Sequence, residues 1–135
     1  MNSGFALSKK LPIMVVEDEA LIRAGLVLEF ETAGYQVHEA ASADEAVVLL
    51  QSGLVLAAVV TDLRMPGRLD GLGLVAWLCE HRPGLPVIVA TGYPINLQQE
   101  PYRAIRAVVS KPYQASEIIV VLATLETPEG DPCLK

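Results

Sequence analysis

Short runs of apolar residues alternate along the chain with segments in which apolar residues recur every three or four positions. The runs predict strands that are buried on both faces, because they present no polar side to solvent. The recurring segments predict amphipathic helices. We expect five strands, over residues 12–16, 35–39, 56–61, 86–90 and 105–110.

Helices are predicted between most of these strands and after the last one. The first helix follows the acidic run at residues 17–19 and ends at Gly34, a residue type that favours the left-handed cap. Its expected core stripe is Ile22, Leu26, Phe30 and Ala33. Further helices are expected over 42–50, 72–81 and 116–125, with Ser42 as a cap. The prolines between residues 94 and 103 leave room for one or two weak turns.

This alternation predicts an α/β fold, a doubly wound parallel sheet with helices on both faces. We expect a domain over residues 11–125, an N-terminal extension over 1–10 and a C-terminal tail over 126–135. In such sheets, ligands bind beyond the carboxyl ends of the strands. The residues that follow each strand are therefore the first place to look for a site.

Composition narrows the class of protein. Apolar residues make up 52% of the 135 residues and charged residues 19%, which suits a well-buried core. The net charge is −6 and the ten basic residues are scattered, which argues against direct binding to nucleic acid. No signal peptide or membrane span is evident, and Cys79 and Cys133 show no pairing pattern. We expect a cytoplasmic protein.

Polar residues follow four of the five predicted strands and would converge at one edge of the sheet. They are Glu17, Asp18, Asp62, Thr91 and Lys111. Two carboxylates 4 Å apart repel by about 4 kcal/mol at an effective dielectric constant of 20. A divalent cation relieves that repulsion, and a few hard oxygen ligands suit Mg²⁺.

Each of these residues also has a chemical task. An ionised Asp62 beside Mg²⁺ can attack phosphorus, and the metal and the Lys111 ammonium can neutralise charge on the transferring group. The Thr91 hydroxyl and the Gly92 backbone N–H can donate to phosphoryl oxygens. Any one of these residues alone is an ordinary cap or surface group, so the joint pattern carries the prediction of an aspartyl-phosphate site.

Four short motifs resemble those of one family. They are Val15-Val16-Glu17-Asp18-Glu19, Thr61-Asp62-Leu63-Arg64-Met65-Pro66-Gly67, Ala90-Thr91-Gly92 and Ser110-Lys111-Pro112. Over roughly residues 11–125 the chain resembles the response-regulator receiver domains of two-component signalling. The resemblance implies a flavodoxin-like, CheY-like sheet of order 2-1-3-4-5. It also implies a signalling receiver that takes phosphate from a kinase phosphohistidine and at most catalyses its own phosphorylation and dephosphorylation.

The resemblance also implies roles at individual positions. Asp62 matches the phosphoacceptor, and Asp18 and Asp62 match carboxylates that ligate Mg²⁺. Glu17 would act through a metal-bound water, and Arg64 would offer its backbone carbonyl to the metal.

Four further positions take roles from the same resemblance. Thr91 matches the switch hydroxyl, and Lys111 matches the lysine that contacts the phosphoryl group. The side chains of Arg64 and Tyr93 are expected at the mouth of the site, where they would tune access of water.

One position departs from the family pattern. Val108 occupies the place of the usual aromatic switch residue, so we expect a different switch. The segment Val89-Ala90-Thr91-Gly92-Tyr93-Pro94 is similar to a subgroup marked by Phe-Ala-Thr-Gly-Tyr, with Val89 in place of Phe. That subgroup tends to pair with kinases of the HWE or a related class. We predict that phosphorylation biases an order–disorder equilibrium over residues 92–104.

Apolar surfaces suggest partners. Leu21, Gly25 and Leu28 form a second stripe on the first helix, either packed against a neighbouring helix or docked onto the kinase. Ile119 and Val120 remain outside the core stripe of the last helix, formed by Ile118, Leu122 and Leu125. We expect them to contact a downstream protein, a phosphotransfer protein or a second copy, through the face formed by residues 94–103, the fifth strand and the last helix.

Three other classes of protein fit the sequence less well. An aspartyl phosphatase or phosphotransferase would need an acid at position 64, which is Arg64. A flavodoxin-like nucleotide or flavin binder would need a phosphate-cradling loop after the first strand, where residues 17–19 are acidic. A pseudo-receiver would not need both Asp62 and Lys111. Since no output domain follows residue 125, we expect a stand-alone receiver, with a piece of a longer regulator as the alternative.

Overall fold

The computed structural model describes residues 11–64, 67, 70–92, 95–98 and 105–125. Five strands are present in this part of the chain: β1 Ile13–Val16, β2 Val37–Ala40, β3 Ala58–Asp62, β4 Val87–Thr91 and β5 Ile105–Ser110. Four helices accompany them: α1 Ala20–Thr32, α2 Ala43–Gln51, α3 Gly71–His81 and α4 Ala115–Thr124. The predicted alternation of strands and helices is confirmed.

All neighbouring strands run parallel, in the order β2-β1-β3-β4-β5. This is the predicted order, with β1 and β3 adjacent in the centre. The register pairs Val16 with Thr61, and Thr91 with Ser110. The residues that follow β1, β3, β4 and β5 therefore reach the same edge of the sheet, called the carboxyl edge below.

Helices cover both faces of the sheet. Alternate residues of its central strands point to opposite faces, so each strand contributes to two core clusters. Met14 and Val16 belong to a core cluster that includes residues of α2 and α3. Ile13 and Val15 belong to the opposite cluster, with residues of α1 and α4. All four of these β1 side chains are buried, as the apolar run predicts.

Local caps define the starts of three helices. The Ser42 hydroxyl accepts a hydrogen bond from the Glu45 backbone N–H at 3.0 Å, as predicted. Asp70 accepts one from the Gly73 backbone N–H at 2.9 Å, which places the first residue of α3 at Gly71. Gln114 and Glu117 form a reciprocal capping box at the start of α4.

Two expectations about the first helix and second strand need correction. The second strand begins at Val37, because the Tyr35 N–H still donates to the carbonyl of Phe30 at 3.1 Å and closes the end of α1. Ile22 is 45% exposed and Ala33 is also exposed, so the buried stripe of α1 is reduced to Leu26 and Phe30.

Further predictions concern the end of α4, residues 94–103 and the two ends of the chain. Leu125, predicted to be core, is half-buried after the end of α4. Within residues 94–103 only 95–98 are described, and they contain a turn at Leu97 and Gln98. The extension over 1–10, the tail over 126–135 and Tyr93 lie outside the described residues. Among the described helices, none has the length and apolar character needed to cross a membrane.

Candidate functional site

The carboxyl edge brings together most of the polar residues predicted to form the site. Asp62 is the last residue of β3 and is 8% exposed, while Glu17, directly after β1, is 4% exposed. The Lys111 ammonium, after β5, contacts the Asp62 carboxylate with Nζ 2.5 Å from Oδ2. Residues 49 positions apart in sequence therefore meet in one ion pair.

The Asp62 carboxylate is held at both oxygens. Oδ1 accepts a hydrogen bond from the Arg64 backbone N–H at 3.2 Å, and Oδ2 accepts from Lys111. The Thr61 hydroxyl donates to the Asp62 carbonyl at 2.9 Å. The predicted phosphoacceptor thus has a defined orientation at the end of its strand.

Glu17 is fixed through both its backbone and its side chain. Its N–H donates to the Ala40 carbonyl at 3.1 Å, and its Oε2 accepts from the Glu19 N–H at 3.0 Å. Burial raises the pKa of the Glu17 carboxyl, with further contributions from the Asp62 charge and a hydrogen bond with Asp18, against the lowering effect of the Glu19 N–H. Burial is thus the main cause of the raised pKa, and the negative charge of Asp62 adds to it.

The Lys111 ammonium offsets part of the negative charge of these carboxylates. Partial burial opposes its charge, but the hydrogen bond to Asp62 and attraction to Asp62, Glu17 and Glu19 outweigh burial and raise the pKa of the ammonium above its ordinary value. The Lys111 backbone N–H donates to the Thr91 carbonyl at 2.9 Å, which ties the end of β5 to the end of β4. The lysine is therefore a fixed cation at neutral pH.

Thr91, Gly92 and Val108 occupy the β4–β5 side of the site. Thr91 is buried at the end of β4, and Gly92 is exposed just beyond it. A Cβ built on Gly92 would meet only Lys111 Cβ, at 4.0 Å, so this glycine is not required by packing within the described residues. Val108 is half-buried against the cluster that contains Val89. No ring is available at this position to move toward Thr91.

The donor set fits a small hard cation. Within the described part of the chain, no group of three His, Cys, Asp or Glu side chains forms a complete ligand set. Mg²⁺ commonly uses only one or two carboxylates and keeps several waters. The buried carboxylates of Glu17 and Asp62, with the half-buried Asp18 beside them, are oxygen donors of this type. Binding by these residues and by the Arg64 carbonyl stays a prediction.

Three residues near the site were missed by the sequence analysis. A Cβ on Gly71 would overlap the Asp62 carbonyl and crowd Leu63 Cα, so only glycine lets α3 approach the end of β3 this closely. Arg23, on α1, donates to the Glu17 carbonyl. Tyr113 is half-buried, and burial together with the charges of Glu17 and Asp62 raises the pKa of its phenol to about 12. Of these three residues, only Gly71 has a signal in the sequence: it follows Asp70, a residue type that caps helices, and it has no side chain.

A groove of about 950 Å³ runs beside the site, between α1 and the segment that follows β5. Its α1 wall includes Leu21, Ile22 and Gly25, and its other wall runs from Lys111 to Ser116. Leu21 is 89% exposed and Leu28 is exposed as well. The second apolar stripe of α1 is therefore open to solvent and not packed against a neighbouring helix.

Comparison with known proteins identifies the family. The family model of the response regulator receiver domain matches residues 13–123, so the chain belongs to this family. Receiver domains are the signalling modules of two-component response regulators and interact with sensor histidine kinases. They are not classical enzymes.

Two curated relatives illustrate the range of proteins that contain such a domain. The transcriptional regulatory protein PhoP of Escherichia coli O157:H7 is 32% identical over 117 residues, which cover 84% of this chain and 51% of that protein. The sensor kinase CckA of Brucella abortus is 38% identical over 88 residues, 64% of this chain and 9% of that protein. The chain thus spans about half the length of PhoP and a small part of CckA.

Solved structures agree with the fold. The response regulator TrrA of Thermotoga maritima, in complex with Mg²⁺-BeF, is 27% identical with a TM-score of 0.76, covering 85% of this chain and 98% of that chain. A receiver domain protein from Clostridium thermocellum has a TM-score of 0.77 at 23% identity, covering 85% of this chain and 93% of that chain. The CheY-like architecture expected from the sequence is confirmed.

Proposed function

We propose that this chain accepts a phosphoryl group on Asp62 from the phosphohistidine of a sensor kinase. The observation that carries the proposal is the Asp62–Lys111 contact of 2.5 Å beside the buried Glu17 at the carboxyl edge. An Asp62 oxygen attacks phosphorus, the P–N bond of the phosphohistidine breaks, and the electron pair stays on the histidine nitrogen. A receiver in complex with Mg²⁺-BeF among the structural relatives supports this assignment.

The residues around Asp62 have separate roles in this proposal. Asp18, Asp62 and the Arg64 carbonyl would hold Mg²⁺, with Glu17 acting through a bound water. When bound, the ion supplies positive charge that screens the phosphoryl oxygens from the carboxylates. Lys111 stabilises charge on the transferring group.

Two further residues complete the phosphoryl site in this proposal. The Thr91 hydroxyl and the Gly92 N–H would donate to phosphoryl oxygens.

The direct test is phosphorylation of the purified protein by acetyl phosphate or a candidate kinase with Mg²⁺, followed by mass spectrometry of the peptide containing Asp62. We expect one phosphoryl group at position 62 and none in Asp62→Ala. Phosphorylation elsewhere, or absence of label on folded protein with every donor, would overturn the proposal.

The α1 side of the groove is our proposed docking surface for the kinase. Leu21 is exposed on the wall of the groove, Leu28 is exposed further along α1, and Glu19 and Lys111 also line the groove. We expect Leu21→Asp to slow transfer from the kinase at least tenfold, since a buried unpaired charge would disrupt the interface. Phosphorylation by acetyl phosphate should be unchanged. Val48→Asp, at an exposed apolar position on α2, is the control, and equal transfer rates in both variants would refute the assignment.

The remaining proposals concern regulation and context. With Val108 in place of an aromatic residue, we propose that phosphorylation orders or disorders residues 92–104, most of which lie outside the described residues. Tyr93 and the Arg64 side chain would tune hydrolysis. Amide exchange over that segment, with and without beryllofluoride, tests this, and identical exchange in both states argues against it.

We further propose a cytoplasmic receiver of the Phe-Ala-Thr-Gly-Tyr subgroup that works with an HWE-type kinase. Its downstream protein, phosphotransfer protein or second copy would use the exposed Val120 face of α4. Phosphotransfer profiling against kinases of several classes tests the kinase assignment.

A further inference from the structure

We propose that Arg23 is a positioning residue for the acidic loop, residues 17–19, and that it sets the Mg²⁺ affinity of the site without touching the metal. This inference rests on the proposed function, because it concerns the same carboxylates. Nothing in the sequence motifs points to Arg23, which follows the acidic loop by four residues within α1.

The evidence is the way in which one guanidinium joins two elements. Arg23 Nη1 donates to the Glu17 carbonyl at 2.7 Å, and Arg23 Nε donates to Glu39 Oε1 at 3.1 Å. Glu39 belongs to β2, so the side chain spans from α1 across the start of the acidic loop to the edge strand. The Arg23 side chain is 19% exposed and that of Glu39 is 49% exposed.

These contacts complete the hydrogen bonding of the Glu17 backbone. The Glu17 N–H donates to the Ala40 carbonyl of β2, and the Glu17 carbonyl accepts a hydrogen bond from Arg23. The peptide group before Glu17 is therefore fixed by Ala40, and the peptide group that leads from Glu17 into Asp18 is fixed by Arg23. Because that peptide sets the direction of the Asp18 side chain, Arg23 controls where a predicted metal ligand points.

A contribution to stability alone does not account for this arrangement. An ion pair as exposed as Arg23–Glu39 contributes about 0–1 kcal/mol. The planar guanidinium offers donors in a fixed fork, which a lysine cannot reproduce at both acceptors. The arrangement suits a residue that holds two groups at a defined separation.

Positioning and simple electrostatics predict opposite results for loss of the charge. If Arg23 acted only through its charge, Arg23→Gln would tighten Mg²⁺ binding, because it removes a cation near the site. If Arg23 positions the acidic loop, the same variant binds Mg²⁺ more weakly. Losing a group that orients metal ligands typically lowers affinity by about 10–100-fold, and we expect roughly tenfold because Arg23 acts on the backbone.

The experiment is calorimetric titration of Mg²⁺ into the full chain, which does not depend on phosphorylation. We expect roughly tenfold weaker binding in Arg23→Gln and an intermediate loss in Arg23→Lys, which keeps the charge but not the fork. Arg106→Gln removes an equal charge from an exposed position on β5 and should leave the affinity within about twofold. Unchanged or tighter binding in Arg23→Gln would overturn the proposal.

Amide exchange provides a second readout that a general loss of stability would not reproduce. The Glu17 and Glu19 amides should exchange faster in Arg23→Lys and Arg23→Gln, while β3 amides remain protected. If Arg23→Gln does not fold, Arg23→Lys alone decides, and wild-type affinity with unchanged exchange in that variant rejects the role. If the wild-type protein binds no Mg²⁺, the proposed function fails; if it binds Mg²⁺ and Arg23 variants match it, only this inference fails.

Discussion

At the scale of single residues, the candidate site is a compromise between charges of opposite sign. Two buried carboxylates, Glu17 and Asp62, share one ammonium, Lys111, which contacts only Asp62 by hydrogen bond among the described contacts. Burial and the Asp62 charge both disfavour the ionised form of Glu17, so this only partly compensated acid raises the energy of the metal-free protein. Such a site is less stable empty than occupied by a cation.

This imbalance predicts that Glu17→Gln stabilises the metal-free protein. The amide removes a buried charge, and its oxygen can still accept from the Glu19 N–H, so we expect a gain of about 1 kcal/mol in the free energy of unfolding at pH 7. Urea denaturation with a metal chelator measures it. The exposed Glu31→Gln should change stability by less than about 0.5 kcal/mol. A loss of stability in Glu17→Gln would contradict the role of repulsion.

Tyr113 makes the stability of the folded protein depend on pH in the alkaline range. Burial, and then the charges of Glu17 and Asp62, raise the pKa of its phenol to about 12, above the unfolded value of 10.0. The folded protein therefore keeps a proton that the unfolded chain releases, so stability is full below pH 10 and falls as the pH rises toward 12. Unfolding free energies measured from pH 9 to 11.5 should fall less steeply in Tyr113→Phe than in the wild-type protein. Parallel curves would show that folding does not raise the pKa of Tyr113.

At the scale of elements, the start of α3 is fitted tightly to the end of β3. Gly71 donates its N–H to the Leu63 carbonyl at 3.1 Å, and a Cβ there would overlap the Asp62 carbonyl. We predict that Gly71→Ala costs about 1–3 kcal/mol of stability and lowers the rate of Asp62 phosphorylation, because backbone atoms must move apart. Urea denaturation and acetyl phosphate labelling measure the two effects.

Gly25 is the matched control for Gly71. It lies in the middle of α1 with nothing within 4 Å of a Cβ built on it, so Gly25→Ala should stabilise the protein by up to about 1 kcal/mol. Equal stability of the two alanine variants would show that the close approach of α3 is not needed.

Sequence patterns predicted the elements well because the relevant information is local. The buried run before Glu17 and the Ser42 cap were both readable from neighbouring residues, and both are confirmed. The exposure of Ile22 was not predicted, because apolar periodicity cannot show that the first turn of a helix borders a groove.

The contacts that complete the site were missed for a related reason. The approach of Gly71 to Asp62 and the link from Arg23 to Glu39 join separate elements, so they depend on packing that no short motif encodes. The ends of strands, in contrast, are ordered by sheet topology, which is why the meeting of Asp62 with Lys111 could be predicted. The individual roles of these residues stay predictions.

At the scale of the whole molecule, the apolar core and the polar candidate site occupy different parts of the sheet. The two apolar clusters fill both faces of the sheet, while the buried acids and the lysine gather at the carboxyl edge. A ligand bound at this edge to the native state alone stabilises the entire domain by mass action. Metal binding can therefore be measured as a change in global unfolding.

We predict that Mg²⁺ at 100 times its dissociation constant raises the free energy of unfolding by about 2.7 kcal/mol, and the melting temperature by roughly 10 °C. At the Mg²⁺ concentration that is 100 times the wild-type dissociation constant, Asp62→Asn should lose most of this shift, because the amide is a poorer ligand for a hard cation. Lys111→Met should show a larger shift than the wild-type protein, since it removes the cation that now holds Asp62 Oδ2 and leaves a buried acid for Mg²⁺ to neutralise. Calorimetric melting of the three proteins, with and without Mg²⁺, measures these shifts. An undiminished shift in Asp62→Asn would place the metal away from the carboxyl edge, because a cation bound beside Asp62 must feel the loss of its charge.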